Sequence, residues 1–280
     1  MRERREERFP AGEAFGQEEL ERRMAAETLW AGHPVIFYDI VDSTNLRAMQ
    51  EAESGAPEGA LIVADMQTAG RGRRGRAWQS PAGTNVYYTL VLRPDYKPDR
   101  ASMVTLVMAL AVAEGIETAC GLQTQIKWPN DIVVKGRKVC GILTEMRAER
   151  DAIQHIVVGA GINVGLREFA PELAEKATSL QAECGFAVSR TSLTVQVMKA
   201  FEKYYGKFQD TLDLSGVREK YEHLLVNRDR EVRVLDPGGD FSGVSRGINN
   251  AGELLVELPD GKLVTVYAGE VSVRGIYGYT

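Results

Sequence analysis

Apolar positions come first in short runs, then in one stretch of helical length, and last in alternating patterns broken by tight turns, an order that predicts two kinds of structure in sequence. VIFYDI (35–40), ALIVADM (60–66) and TNVYYTLVLRP (84–94) are compact runs rich in β-branched and aromatic residues and predict strands. Ahead of them, QEELERRMAAETLW (17–30) spaces Leu20, Met24, Glu27 and Leu29 for a short amphipathic helix that stops at Ala31-Gly32 and Pro34 and packs on the first strand. VDSTNLRAMQEA follows that strand, where Ser43, Thr44 or Asn45 suits a helix cap. Residues 101–119 are apolar nearly all round, the pattern of a central helix packed against a sheet. QIKW, DIVV, VCGILTEM and IQHIVVGAGINV give four more strands, separated by turn residues such as Pro129-Asn130 and Lys135-Gly136, and helices return at 191–212 and 215–225.

Past Asn227 the texture changes to short strands, EVRVLD, DFSGVSRGI, GELLVEL, KLVTVYAG and VSVRGIYG, joined by Asp-Pro-Gly-Gly, Asn-Asn-Ala-Gly and Pro-Asp-Gly turns. This is a β-barrel of SH3-like size. Regular βαβ alternation is absent, so the fold class expected is α+β with a mixed or mainly antiparallel sheet. The divisions expected are 1–33 (tail and short helix), 34–227 (the larger domain) and 228–280 (the small barrel). Residues 1–15, dense in Arg and Glu, read as a frayed tail, and the leader is too short for a DNA-binding domain.

Composition adds exclusions. A chain of 280 residues, 44% hydrophobic and 26% charged, has ordinary globular make-up, and its net charge of -5 argues against coating nucleic acid or an anionic membrane. Cys120, Cys140 and Cys184 are widely spaced and form no CxxC pair, which disfavours a disulfide framework or zinc site. MRERREERFP lacks the apolar core of a signal peptide, and no run of about 18 uninterrupted apolar residues follows, so a cytoplasmic protein is expected.

Three segments carry chemistry. QTAGRGRRGRAW, Gln67 to Trp78, places Gly70, Gly72 and Gly75 among Arg71, Arg73, Arg74 and Arg76, so backbone N–H groups can approach a ligand where positive charge is concentrated. Such a loop suits a phosphate, and arginine forks can neutralise a triphosphate that meets a carboxylate. The alternative is an exposed basic turn or an RNA-binding patch. Trp78 can stack on adenine or simply fill the core. KWPNDIVVKGRKVCGIL, Lys127 to Leu143, sets Lys127 and Lys138 on neighbouring strands, with Asp131 available to a magnesium ion; solvent-facing hairpin lysines are the alternative. DSTN, Asp42 to Asn45, offers hydroxyl and amide groups to a neutral polar head such as a ureido ring, or is a plain helix N-cap.

In this order DSTN, QTAGRGRRGRAW, KWPND, GRKVCGIL, GAGINV and GEVSVRG resemble the signature series of the biotin protein ligases, from about Val35 to Arg274. The resemblance implies a class II synthetase-like catalytic domain with a C-terminal SH3-like domain. It also implies a ligase that joins biotin to ATP as biotinyl-adenylate and passes the biotinyl group to a lysine of a biotin carboxyl carrier protein. By similarity, Ser43, Thr44, Asn45 and Gln67 hold the biotin head. Gly70, Arg71, Gly72 and Arg73 fold over biotin and the adenylate phosphate, the loop ordering on binding, while Lys138, Gly141 and Ile142 line the rest of the biotin pocket. Arg71, Arg73, Arg74, Arg76, Trp78, Asn130, Asn163, Glu270 and Arg274 serve the nucleotide, Asp131 a magnesium ion, and Lys138, Arg73 and Lys127 the chemistry. A homodimer formed by pairing sheet edges is expected, with no DNA and no membrane partner.

The nearest rival is a lipoate-protein ligase, whose dithiolane would have little use for the polar DSTN and Gln67 set. An RNA-binding module using the Arg/Gly loop and a biotin sensor without turnover are the others. His33, His155 and His223 are scattered, and the expected mechanism needs none of them.

Overall fold

The computed structural model describes residues 14–236, 238–268 and 272–275. Most of the tail expected at 1–15 therefore lies outside the described residues, but its last two positions are held. Phe15 packs edge-on to Phe37 at 5.5 Å and lies under the Arg190 guanidinium, and Ala14 O accepts from Thr191 Oγ1.

Helix α1 (Gln17–Glu27) buries Leu20 and Met24, as their spacing predicts. It ends before Leu29, which is 89% exposed rather than part of an apolar stripe. The physical reason is Glu202, whose carboxylate accepts from the backbone N–H groups of Leu29, Trp30 and Ala31 and turns the chain away from the helix axis.

A seven-stranded sheet runs in the order β1-β2-β3-β7-β6-β5-β4. Its strands are β1 (Val35–Val41), β2 (Leu61–Gln67), β3 (Val86–Leu92), β4 (Gln125–Lys127), β5 (Asp131–Val134), β6 (Arg137–Glu149) and β7 (Ala152–Ile162). Only β1 and β2 pair in parallel, through α2 (Thr44–Glu53); the other pairs are antiparallel, so the sheet is mixed. One face carries α3 (Ala101–Cys120) and, outside it, α5 (Arg190–Thr211). That sandwich explains the all-round apolarity of α3. Gly115 lets the two helices meet closely: a β-carbon there would stand 2.5 Å from Val197 Cγ2. Pro98–Cys120 has the length and mean hydropathy of a membrane span, yet it is the buried core helix. The short α4 (Leu180–Cys184) and α6 (Arg218–Leu224) complete the α-helices among the described residues; α4 falls where the sequence pattern gives no helix.

The opposite face carries α2 over Ile62, Val91 and Val157. The C-terminal unit is an antiparallel sheet ordered β11-β10-β9-β8-β12, formed by β8 (Glu231–Leu235), β9 (Phe241–Ile248), β10 (Leu254–Glu257), β11 (Leu263–Val266) and β12 (Ser272–Gly275). It is fastened to the larger sheet by Trp128, whose buried Nε1 donates to Gly252 O at 2.9 Å. Gly252, at φ +79°, fits here because a β-carbon would strike Leu214 and Leu106.

Candidate active site

Strand alternation builds the floor. Gly141 and Leu143 on β6 oppose Gly161 and Gly159 on β7, and all four face the α2 side of the sheet. Three of the four are glycines, so bare backbone is presented to whatever lies above. A β-carbon on Gly159 would stand 1.9 Å from Asn45 Oδ1, and one on Gly161 would stand 2.4 Å from Trp78 Nε1.

Above this floor is a cavity of about 410 Å³. Of the residues singled out in the sequence it gathers Ser43, Thr44, Asn45, Gln67, Arg71, Gly72, Arg73, Arg74, Arg76, Trp78, Lys127, Asn130, Asp131, Lys138, Gly141, Ile142 and Asn163. Gly70 is not among them. It sits buried at the neck of the loop, where a side chain would run into Trp78 O and Ser80 Oγ, so its place is structural. Glu270 lies outside the described residues, and Arg274 is placed only by its backbone on β12, opposite Arg233.

The polar end is a directed network. Ser43 stands at the N-cap position of α2, but its side chain makes no capping bond, against the plain-cap alternative. Gln67 Oε1 accepts from Thr44 N at 2.8 Å and Thr44 Oγ1 at 3.1 Å, while Gln67 Nε2 donates to Ser80 Oγ. Asn45 donates through Nδ2 to Leu143 O and Glu145 Oε2, and its Oδ1 faces the buried Thr89 hydroxyl at 2.7 Å.

The Arg/Gly loop closes on itself as a narrow hairpin. Trp78 N donates to Gly70 O and Gly72 N to Arg76 O, with a 3₁₀ turn, Arg73–Gly75, at the tip. Arg74 adopts φ +59° there, and Gly75 φ +70°. Arg73 is the arginine that folds inward: Nη1 donates to Asn130 Oδ1 and Nη2 to Ala268 O at 2.6 Å, joining the loop to the C-terminal unit. Burial holds its pKa below the ordinary arginine value, opposed by Asp131 and reinforced by Arg74 and Arg76. Lys138 Nζ stands 2.6 Å from Asp131 Oδ1 and over the Trp78 ring. Trp78 is half-buried, and its Nε1 has no hydrogen-bond partner among the described residues. Counting Lys176, seven cationic side chains among the described residues line the cavity, against Asp131 and Glu172. It is a strongly positive vault with one neutral, polar end, suited to a carboxylic acid with a polar head that meets a phosphate.

Sequence reasoning missed several parts. Leu166, Phe169, Leu173 and Ala177 form an apolar wall from the segment after β7, which is pinned to the start of β6 by Lys138 N donating to Lys176 O and Thr178 N to Lys138 O. The i,i+4 pair Phe169 and Leu173 in a charged stretch was the available signal. Thr89 and Glu145 carry no local mark and emerge only from the strand register, while Gly159 opens the GAGINV motif but shows its place against Asn45 only in the fold. His33, His155 and His223 stay out of the cavity, and all three cysteines are free thiols.

Residues 37–163 match the Biotin/lipoate A/B protein ligase family, and residues 229–274 match the Biotin protein ligase C terminal domain. The Bacillus subtilis Bifunctional ligase/repressor BirA is 38% identical over 91% of this chain and 78% of its own length. The Paracoccus denitrificans Biotin--[acetyl-CoA-carboxylase] ligase is 34% identical over 84% of this chain and 98% of that protein. Among solved structures, the biotin protein ligase of Aquifex aeolicus in complex with biotin and ATP superposes with a TM-score of 0.75 at 31% identity, covering 86% of this chain and 98% of that one. The fold is therefore an α+β ligase domain with a mixed sheet, followed by an SH3-like domain. The chain belongs to the biotin protein ligase family.

Proposed function

We propose that this protein activates biotin with Mg-ATP as biotinyl-5'-AMP, releasing pyrophosphate, and transfers the biotinyl group to a lysine of a biotin carboxyl carrier protein, releasing AMP. The observation that carries this reading is the junction of a neutral hydrogen-bonding end, Ser43 to Asn45 with Gln67, and a cationic vault around Lys138 and Arg73 within one cavity.

Each residue then has a task. The ureido head meets Ser43, Thr44, Asn45 and Gln67, whose hydroxyl and amide groups match its N–H and carbonyl groups, which a dithiolane lacks. The bare backbone of Gly141 and Gly161 lets the Trp78 indole and the Lys138 side chain lie directly against the floor, where they flank the acyl chain. The carboxylate points at Lys138, with Lys127 and Arg73 offsetting its repulsion from the α-phosphate. Arg71, Arg74, Arg76, Asn130, Asn163 and the apolar wall at Phe169 and Leu173 take the nucleotide. Among the described residues no group of three acidic, imidazole or thiol side chains could cage a metal. A single carboxylate, Asp131, suits magnesium that arrives with the triphosphate and draws its other ligands from phosphate and water, neutralising charge there. The closed loop keeps water from the mixed anhydride until the carrier lysine attacks it.

The same reading divides the chain into a catalytic domain (34–227) and a C-terminal domain (228–280), acting in the cytoplasm as a homodimer. The outer edge of β1 is capped where Gln17 bonds Val35 O and Phe37 N, and that of β4 where Val226 N donates to Ile126 O. An edge for pairing remains on the part of β6 beyond Ile142, which neither β5 nor Asn130 covers. The test is mass spectrometry of a purified carrier domain incubated with the protein, biotin and Mg-ATP. One added biotinyl group on a single lysine is expected; an unmodified carrier, or lipoylation in its place, overturns the reading.

A further inference from the structure

Glu145 lies off the cavity wall, yet its carboxylate touches both halves of the site. It follows Leu143 by two residues on β6, so strand alternation turns it to the face that carries Gly141 and Leu143. Oε2 accepts from Asn45 Nδ2 at 2.9 Å, and Oε1 stands 3.2 Å from Arg71 Nη2. Asn45 belongs to the start of α2 and Arg71 to the arginine loop. One side chain bridges them.

The consequence for Asn45 is directional. Its two amide donors are committed to Leu143 O at 3.1 Å and to Glu145, and its oxygen faces the Thr89 hydroxyl. A flipped amide would set Oδ1 against a carbonyl and a carboxylate, which are both acceptors, so Glu145 and Leu143 O together dictate which way Asn45 points. Toward a ligand, Asn45 then offers a lone pair and no donor. The consequence for Arg71 is retention: the carboxylate holds this half of the loop over the sheet, while Thr68 N and Ala69 N hold the stem to Val41 O and Asp42 O.

We propose that Glu145 is a positioning residue that couples the head-binding end of the site to closure of the arginine loop, by orienting Asn45 as an acceptor and holding Arg71 with the same carboxylate. This rests on the reading of the chain as a biotin ligase.

The experiment uses the full-length protein and two readouts, the KM for biotin in pyrophosphate exchange and the rate at which bound biotinyl-adenylate is released. Glu145→Gln keeps an oxygen for the Asn45 amide and removes the charge that Arg71 needs. Its KM is expected to stay within about twofold of wild type while release quickens roughly fivefold, the scale of a partly exposed ion pair. Glu145→Ala is expected to raise the KM as well. In an Arg71→Gln background, Glu145→Gln should change release no further. Wild-type release in Glu145→Gln, or an undiminished effect in the Arg71→Gln background, overturns the coupling. A wild-type protein that shows no biotin-dependent pyrophosphate exchange overturns the ligase reading itself, and this inference with it.

Discussion

Lys138 Nζ stands 2.6 Å from Asp131 Oδ1 across the β5–β6 pair and 5.2 Å from the centre of the Trp78 ring. A fixed ammonium between a carboxylate and an aromatic face is oriented before any substrate arrives. Lys138→Ala is expected to lower the rate of adenylate formation by roughly 100-fold. Its backbone bonds to Lys176 and Thr178 remain, so the unfolding free energy should move by no more than about 1 kcal/mol. Pre-steady-state adenylate formation and chemical denaturation check the two halves, and an unfolded variant would sink the assignment.

Gly159→Ala and Gly115→Ala separate site from scaffold. At 159 the added carbon would sit 1.9 Å from Asn45 Oδ1, so biotin affinity should fall at least about tenfold while the fold survives. At 115 it would press on the Val197 backbone at 3.0 Å, so stability should fall by about 1–3 kcal/mol with the biotin KM of the folded protein unchanged. Calorimetric titration with biotin and thermal unfolding distinguish the two, and an exchange of these phenotypes contradicts the geometry.

Arg73 bonds Asn130 and Ala268 O, so Arg73→Gly should free the loop tip from the C-terminal unit. Release of biotinyl-adenylate from the variant is expected to be about tenfold faster, the scale of a lost charge-assisted contact. Filtration of protein preloaded with labelled biotin measures it, and unchanged release would count against loop closure.

His155 is buried beneath the end of α2, and burial, together with Arg93 and Arg147, holds its pKa below the ordinary histidine value, with Glu53 acting the other way. The unfolded chain therefore takes up this proton at a higher pH than the folded one. Stability from this group is present above about pH 6.5 and is lost as the pH falls through that value toward the lower folded pKa. Denaturation at pH 7.5 and 5.5 should show a drop in the wild type that shrinks in His155→Gln; an equal drop in both removes His155 as the cause.

The sheet and its order of elements were largely legible because periodicity reports burial directly: Ile62, Val91 and Val157 sit in apolar runs and in the core. Motif residues such as Thr44, Lys138 and Trp78 were legible because unusual residue types cluster there. Contacts that depend on register were not. Thr89 looks like any strand threonine until β3 is set beneath α2, and Glu145 like any exposed acid until β6 brings it to Asn45. The expected end of the first helix failed for the same reason, since Glu202, which takes the N–H groups of Leu29 to Ala31, lies far along the chain.

Acyl-adenylation of biotin in this cavity is read out by exchange of labelled pyrophosphate into ATP, with biotin and lipoate as parallel substrates. Exchange that depends on biotin and is absent with lipoate is expected. Exchange with lipoate alone, or with neither acid, would contradict it.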